Sequence, residues 1–184
     1  YILKKVHKYV KQQLQNFIFG LNAPSRRWTQ TPFTNITLDW VCPPDLKEKA
    51  LMLGGPDLGY YKKKFGELHE EMHLLNKVLI EVYTEWDWGG SVFTFPIPTY
   101  NIVEGFPWDD PLVDDLFEMT AKYGIPYFQN FIGSQYEKDE NGRITTIKKE
   151  WAYSPDAVRS MCCRLQLDLK QLEKRGWGLF GSAE

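Results

Sequence analysis

Apolar residues recur every three or four positions at the start of the chain, and the same spacing returns further on. The first stripe predicts an amphipathic helix over the first 19 residues, which ends at Gly20. The second predicts a long helix over about Tyr61–Trp86. DDPLVDDLFEMTAKYG indicates a third helix, with an acidic first turn and Gly124 at its end. The first two stripes comprise Leu3, Val6, Val10, Leu14, Phe17 and Leu21, and then Phe65, Leu68, Met72, Leu75, Leu79 and Val82.

Extended segments alternate with these helices. FTNITLDWV favours a strand that Pro43-Pro44 ends, and IPYFQNFIG favours a buried strand. SVFTFPIPTYNI is extended as well, and its two prolines predict a strand end or a sheet edge. Asn141-Gly142 predicts a hairpin turn with RITTIKKEWAY as the return strand, and Leu165–Lys174 is expected to form a short helix. The alternation indicates a single α/β domain over residues 1–184.

Composition narrows the classes of partner. A net charge of −2 provides no basic surface for nucleic acid or a membrane, and 43% hydrophobic residues suffice for a core. Three cysteines are too few for a disulfide framework, which predicts a reducing compartment such as the cytoplasm. No apolar run reaches the roughly 20 residues of a membrane span.

One short motif suggests a metal site. Residues 69–73 read His-Glu-Glu-Met-His, which fits the H-E-x-x-H helix of zinc proteases. A zinc site needs a third protein ligand, and the only other histidine, His7, lies far upstream; Glu104 is a weak substitute because no second helical motif presents it. We therefore expect a solvated helix shoulder without bound metal.

Two adjacent cysteines are the second candidate for chemistry. Cys162 and Cys163 precede Arg164, and a guanidinium favours the thiolate form of a neighbouring cysteine. Neighbouring cysteines do not readily bridge each other, and C-C is not a redoxin motif. From the residues alone, reactive thiols and a buried structural pair both remain open, whereas Cys42 is expected to be inert by itself.

Polar residues also interrupt otherwise apolar strands. Gln30, Thr34 and Asn35 flank the first strand, and Gln129 with Asn130 divides PYFQNFI. Buried amides and hydroxyls need hydrogen-bond partners. A pocket for a polyhydroxylated substrate would supply them, and turn or cap positions are the alternative.

Five stretches together resemble the class III, anaerobic ribonucleoside-triphosphate reductases, a family of glycyl-radical enzymes. They are QTPFTNITLDW, VFTFPIPTYNI, AKYGIPYFQNF, RSMCCRLQLDL and KRGWGLFGSAE, in the family's order. The resemblance implies an α/β fold, the first half of a ten-stranded barrel with long flanking helices and a central finger loop. It also implies the reduction of ribonucleotides to deoxyribonucleotides.

The resemblance assigns roles to several residues. SMCCRL becomes the tip of the finger loop, with Cys163 as the thiyl radical that abstracts the ribose 3′ hydrogen and Cys162 as a reducing thiol or packing neighbour. In some branches of the family a cysteine on the first strand is a reducing thiol, and Cys42 is the candidate here, although it lies just past the end of that strand. The implied substrate-binding residues are Gln30, Thr34, Asn35, Asn130 and Arg164.

The implied cofactors and partners lie largely outside this chain. The family's glycyl-radical loop, zinc site and ATP-cone have no match here, so we expect a fragment or one part of a split enzyme. The complete enzyme would bind ribonucleoside triphosphates and nucleotide effectors, use a radical-SAM activase, and form a homodimer through the two long helices. The alternatives are a non-catalytic truncated half-barrel and a pyruvate formate-lyase-like enzyme.

Overall fold

The computed structural model describes residues 2–24, 31–51, 63–85, 89–90, 92–132, 136–138, 140–141, 144–147, 158–161, 165–168 and 174. Its helices are α1 (Ile2–Asn22), α2 (Pro44–Lys47), α3 (His69–Glu85) and α4 (Pro111–Tyr123), with a short 3₁₀ helix at Phe65–Glu67. Its strands are β1 (Asn35–Leu38), β2 (Ile97–Ile102), β3 (Tyr127–Asn130), β4 (Tyr136–Lys138), β5 (Ile144–Ile147), β6 (Val158–Met161) and β7 (Leu165–Asp168).

A parallel sheet of three strands organises the fold, in the order β1-β2-β3. Helix α3 lies between β1 and β2 in the chain, and α4 lies between β2 and β3, as parallel strands require. The α/β prediction is therefore confirmed. Two antiparallel pairs, β4-β5 and β6-β7, follow the sheet, and β6 contacts β1. The first of these is the hairpin that Asn141-Gly142 predicts.

The hydrophobic core lies between one face of the sheet and the helices. Leu38, Tyr100 and Phe128 stand side by side across the three strands and belong to this core. Helices α3 and α4 contact each other over them, and α1 packs on α3. The helices contribute Ile18, Val78, Leu79, Val82, Leu112, Val113, Leu116 and Met119, all buried.

Of the two positions that the prolines of SVFTFPIPTYNI predict, the strand end is confirmed, because Pro96 precedes β2 and Pro98 is its second residue. The sheet edge is wrong, because β2 is the central strand. The Ile97 N–H donates to Thr34 O at 2.8 Å, on the β1 side. Successive residues of a strand direct their N–H groups to opposite sides, so the missing N–H of Pro98 would point towards β3. Pairing with β3 begins one residue later, at Thr99, so Pro98 removes no hydrogen bond from the sheet.

Three predicted helix positions also differ from the structure. Helix α1 continues through Gly20 to Asn22, where added side-chain bonds hold its end. Helix α3 starts at His69 and not near Tyr61, because Phe65–Glu67 forms a 3₁₀ turn instead. The Glu67 carboxylate caps this turn by accepting from Lys64 N–H at 3.1 Å. Leu165–Asp168 is strand β7, because its alternating apolar and polar residues pair with β6.

Asn22 joins the end of α1 to the segment that leads into β2. Its Oδ1 accepts from the backbone N–H groups of Thr94 and Phe95, each at 3.0 Å. Its Nδ2 donates to the carbonyls of Ile18, at 2.7 Å, and Phe95. Four bonds from one amide therefore fix where α1 lies against the sheet.

We expect Asn22→Ala to lower the free energy of unfolding by about 2 kcal/mol, because partly buried backbone groups lose their partners. Asn16→Ala is the matched control, since Asn16 is exposed on the same helix and pairs only with Gln12 in the described part of the chain. Urea unfolding of both variants measures the difference. Equal stability of the two variants would contradict this role of Asn22.

Candidate functional site

The sheet face opposite α3 and α4 is polar, and it is buried at Thr99, Asn101 and Gln129. Thr37, Thr99 and Tyr127 are aligned across β1, β2 and β3, and Asn101 pairs with Gln129 in the next row of this face. The exposed fractions are 3% for Thr99, 0% for Asn101 and 5% for Gln129. We call Thr37, Asp39, Thr99, Asn101 and Gln129 the polar face. Burial of so many hydrogen-bonding groups requires partners for them.

A hydrogen-bonded chain connects this face to the helix side. Asn101 Nδ2 donates to Asp39 Oδ1 at 2.7 Å, and Asn76 Nδ2 on α3 donates to Asp39 O at 3.2 Å. The Tyr100 hydroxyl donates to Asn76 Oδ1 at 3.2 Å. Burial raises the pKa of Tyr100, so its hydroxyl stays a donor at neutral pH. Asp39 is thus held at both its carboxylate and its carbonyl.

Two oxygen atoms on the polar face are buried with no hydrogen-bond partner in the described part of the chain. They are Thr99 Oγ1 and Asn101 Oδ1. An unpaired buried polar atom costs roughly 1–3 kcal/mol. Such atoms in a folded protein point to a water, a ligand or a mobile partner.

The structure separates the predicted substrate-binding residues. Asn35 is two residues from Thr37 and therefore lies on the same face of β1, whereas Thr34 precedes the strand. Asn130 pairs with Ile102 on the helix-facing side, is exposed, and accepts from Ile132 N–H at 2.8 Å. Its neighbour Gln129 occupies the polar face instead. Gln30 lies outside the described residues.

Sequence reasoning missed Asp39, Thr99 and Asn101. The available signal was the alternation in NITLD and in PTYN, where every second residue is polar or hydroxylated. Reading those segments as strands with two different buried faces would have found all three. The chain order alone does not show that Asp39 reaches across to Asn101.

The tandem cysteines and Arg164 fall outside the described residues. The residues on either side of them are described: Met161, the last residue of β6, pairs with Leu165, the first of β7. Strand β6 contacts β1, an outer strand of the three-stranded sheet.

Cys42 lies past the end of β1, as the sequence indicates, and is half-buried. With Thr37, Asp39 and residues of α2, the 3₁₀ turn and α3, it lines a cavity of about 340 Å³. Its Sγ lies 3.7 Å from Pro43 O. The cavity therefore adjoins the polar face through Thr37 and Asp39.

The histidines of the H-E-x-x-H motif lie on α3. His73 Nε2 is 3.2 Å from Asp110 Oδ2, and Asp110 also caps α4 by accepting from Leu112 N–H at 2.9 Å. His7 lies on α1, 3.1 Å from Glu81 Oε1. Within the described ranges, no three His, Cys, Asp or Glu side chains converge as a metal site would require.

These features define an α/β protein whose parallel sheet has one apolar, helix-covered face and one buried polar face. The family model for the anaerobic ribonucleoside-triphosphate reductases matches residues 1–183. The chain belongs to that family. No curated protein matches it. Among the described residues, no helix is long and apolar enough to cross a membrane.

We expect no stoichiometric zinc at His69 and His73, because the carboxylate nearest His73 already caps α4. Elemental analysis of chelator-washed protein should find less than one zinc per chain, before and after His73→Ala. One equivalent of zinc that disappears in His73→Ala would contradict this expectation. His7→Ala is the matched control, since His7 lies on a different helix.

Proposed function

We propose that this chain forms the N-terminal half-barrel and finger loop of an anaerobic ribonucleoside-triphosphate reductase, with Cys163 as the radical-bearing residue. The observation that carries the proposal is the family match over residues 1–183, which includes the Cys162-Cys163-Arg164 segment. The parallel pairing of β1, β2 and β3 supports this proposal, because three such strands could form part of a ten-stranded barrel.

The chemistry begins with a thiyl radical on Cys163. Its sulfur takes the hydrogen atom from C3′ of the ribose, so the C3′–H bond breaks and an S–H bond forms. The 2′ hydroxyl then leaves as water. A dithiol supplies two electrons and two protons and becomes a disulfide; alternatively, formate supplies two electrons and one proton, leaves as carbon dioxide, and solvent supplies the second proton. The S–H of Cys163 then returns its hydrogen atom to C3′, which restores the thiyl radical. Cys162 supplies one thiol if the reductant is a dithiol, and Cys42 is a second candidate.

The described residues suit such a substrate. Hydrogen-atom transfer requires near-contact between sulfur and one C–H bond in a site that excludes water. The polar face offers buried amides and hydroxyls, which are groups that bind ribose hydroxyls. The contact of β6 with β1 brings the strand that leads into the cysteine segment beside this sheet. Arg164 follows the thiols and would polarise them or hold the loop.

A glycyl radical, installed by a radical-SAM activase, would generate the thiyl radical when present. We place that glycine and a structural zinc in a C-terminal half of the enzyme that complements this chain. Nucleotide effectors and a second copy of the chain would bind at the long helices, in the cytoplasm.

Cys163→Ser in the complete enzyme should abolish turnover and leave glycyl-radical formation intact, because an O–H bond is far stronger than S–H. Cys162→Ser should slow turnover, or stop it after about one cycle, if that thiol supplies only electrons. Deoxynucleotide formation and the radical's electron paramagnetic resonance signal measure the two effects. Activity in both variants would refute the radical assignment, and activity in Cys163→Ser alone would transfer it to Cys162.

The chain should self-associate or bind a complementing half, because α1 has several exposed apolar residues, namely Ile2, Val6, Tyr9 and Phe17. Tyr9→Glu should weaken that association, as measured by sedimentation equilibrium. Gln12→Glu is the matched control, since it adds the same charge at an exposed polar position of α1. A strictly monomeric, cooperatively folded wild-type chain that binds no second polypeptide would contradict the prediction.

A further inference from the structure

The Asp39–Asn101 hydrogen bond fixes the orientation of a buried amide. An ionised carboxylate only accepts hydrogen bonds, so Asn101 must turn its Nδ2 towards Asp39, at 2.7 Å. Its Oδ1 is then directed away from Asp39. That oxygen is buried, on a residue with no exposed surface, and has no partner among the described residues.

Thr99 provides a second group of the same kind, two residues earlier on the same face of β2. Its Oγ1 is buried and also lacks a partner within the described ranges. A hydroxyl both donates and accepts, whereas the Asn101 oxygen only accepts. The Asn101 oxygen therefore needs a donor, and a ligand hydroxyl can supply that hydrogen while it also donates to, or accepts from, Thr99.

The charges on this face narrow the ligand group further. Its described members are amides, threonines and one carboxylate, and they include no lysine or arginine. A phosphate group next to the Asp39 carboxylate would place two negative charges side by side, which is unfavourable away from water. A neutral hydroxyl meets no such penalty.

We propose that Asn101 Oδ1 and Thr99 Oγ1 hydrogen-bond a ribose hydroxyl of the nucleotide, and that Asp39 is the positioning residue that orients the Asn101 amide for it. This inference rests on the proposed function and names the part of the substrate that β2 binds. The phosphates of the nucleotide would then lie away from the Asp39 carboxylate.

The test measures nucleotide binding to the intact, unactivated enzyme that contains this chain, so radical chemistry does not enter. Calorimetry compares cytidine triphosphate with its 2′-deoxy and 3′-deoxy forms. Thr99→Val removes the hydroxyl at nearly constant shape, and Asn101→Leu removes the amide. Each should weaken binding of cytidine triphosphate about 10-fold and leave the affinity for one deoxy form nearly unchanged.

Two substitutions, one conservative and one not, test the role of Asp39. Asp39→Asn keeps an oxygen that can accept from Asn101 Nδ2, so it should retain most of the discrimination between ribose and deoxyribose. Asp39→Leu should lose it. Thr120→Val is the matched control for Thr99→Val, because the Thr120 hydroxyl donates to Leu116 O within α4 at 2.8 Å. It should bind like the wild type.

Several results would overturn the inference. They are unchanged binding in Thr99→Val, an equal loss for all three nucleotides, or equal discrimination in Asp39→Leu and the wild type. An equal loss would indicate that these groups pair with another part of the protein. If Asn101→Leu fails to fold, Thr99→Val and the Asp39 pair decide. A wild-type enzyme that does not distinguish ribose from deoxyribose would refute the proposed substrate as well, whereas discrimination that survives every variant refutes only this inference.

Discussion

Burial of β2 on both faces is the constraint on which the rest of the structure depends. All six of its residues are buried, and it is bonded to a parallel strand on each side. A strand in that position must satisfy two different environments at alternate residues. Tyr100 and Ile102 meet the helices, whereas Thr99 and Asn101 meet the polar side. The helix packing, the sheet order and the candidate site therefore share one six-residue segment.

The polar side uses neutral groups where charges would be costly. Amides and hydroxyls lose less solvation free energy on burial than carboxylates or ammonium groups do. Asp39, the one described carboxylate of the polar face, is only half-buried and accepts a hydrogen bond from Asn101. Apart from Asp39, the described groups of this surface can hold hydroxyls in place without carrying charge, which suits the proposed transfer of a hydrogen atom.

The sequence predicts the elements better than their limits or their partners. Stripes at helical spacing identify α1 and α3, and an acidic first turn with a terminal Gly124 identifies α4, since these patterns are local properties of the chain. Gly20 does not end α1, because the bonds that hold its end come from Asn22 to Phe95, far away in sequence. Pro98 is tolerated in a central strand only because β3 begins one residue later, which no local pattern reveals. Local sequence likewise does not indicate which of Gln129 and Asn130 lies on the polar face, because that depends on how β3 is aligned with β2.

Asp39 couples the candidate site to the hydrophobic core. Its carboxylate holds Asn101, while its carbonyl accepts from Asn76, which in turn accepts from the Tyr100 hydroxyl in the core. The hydrogen bonds of such a network strengthen one another in a low-dielectric interior, so the loss of one weakens the others. Displacement of α3 would therefore move Asn76 and Asp39 and disturb the orientation of Asn101. The geometry of the polar face is thus maintained by packing on the opposite side of the sheet.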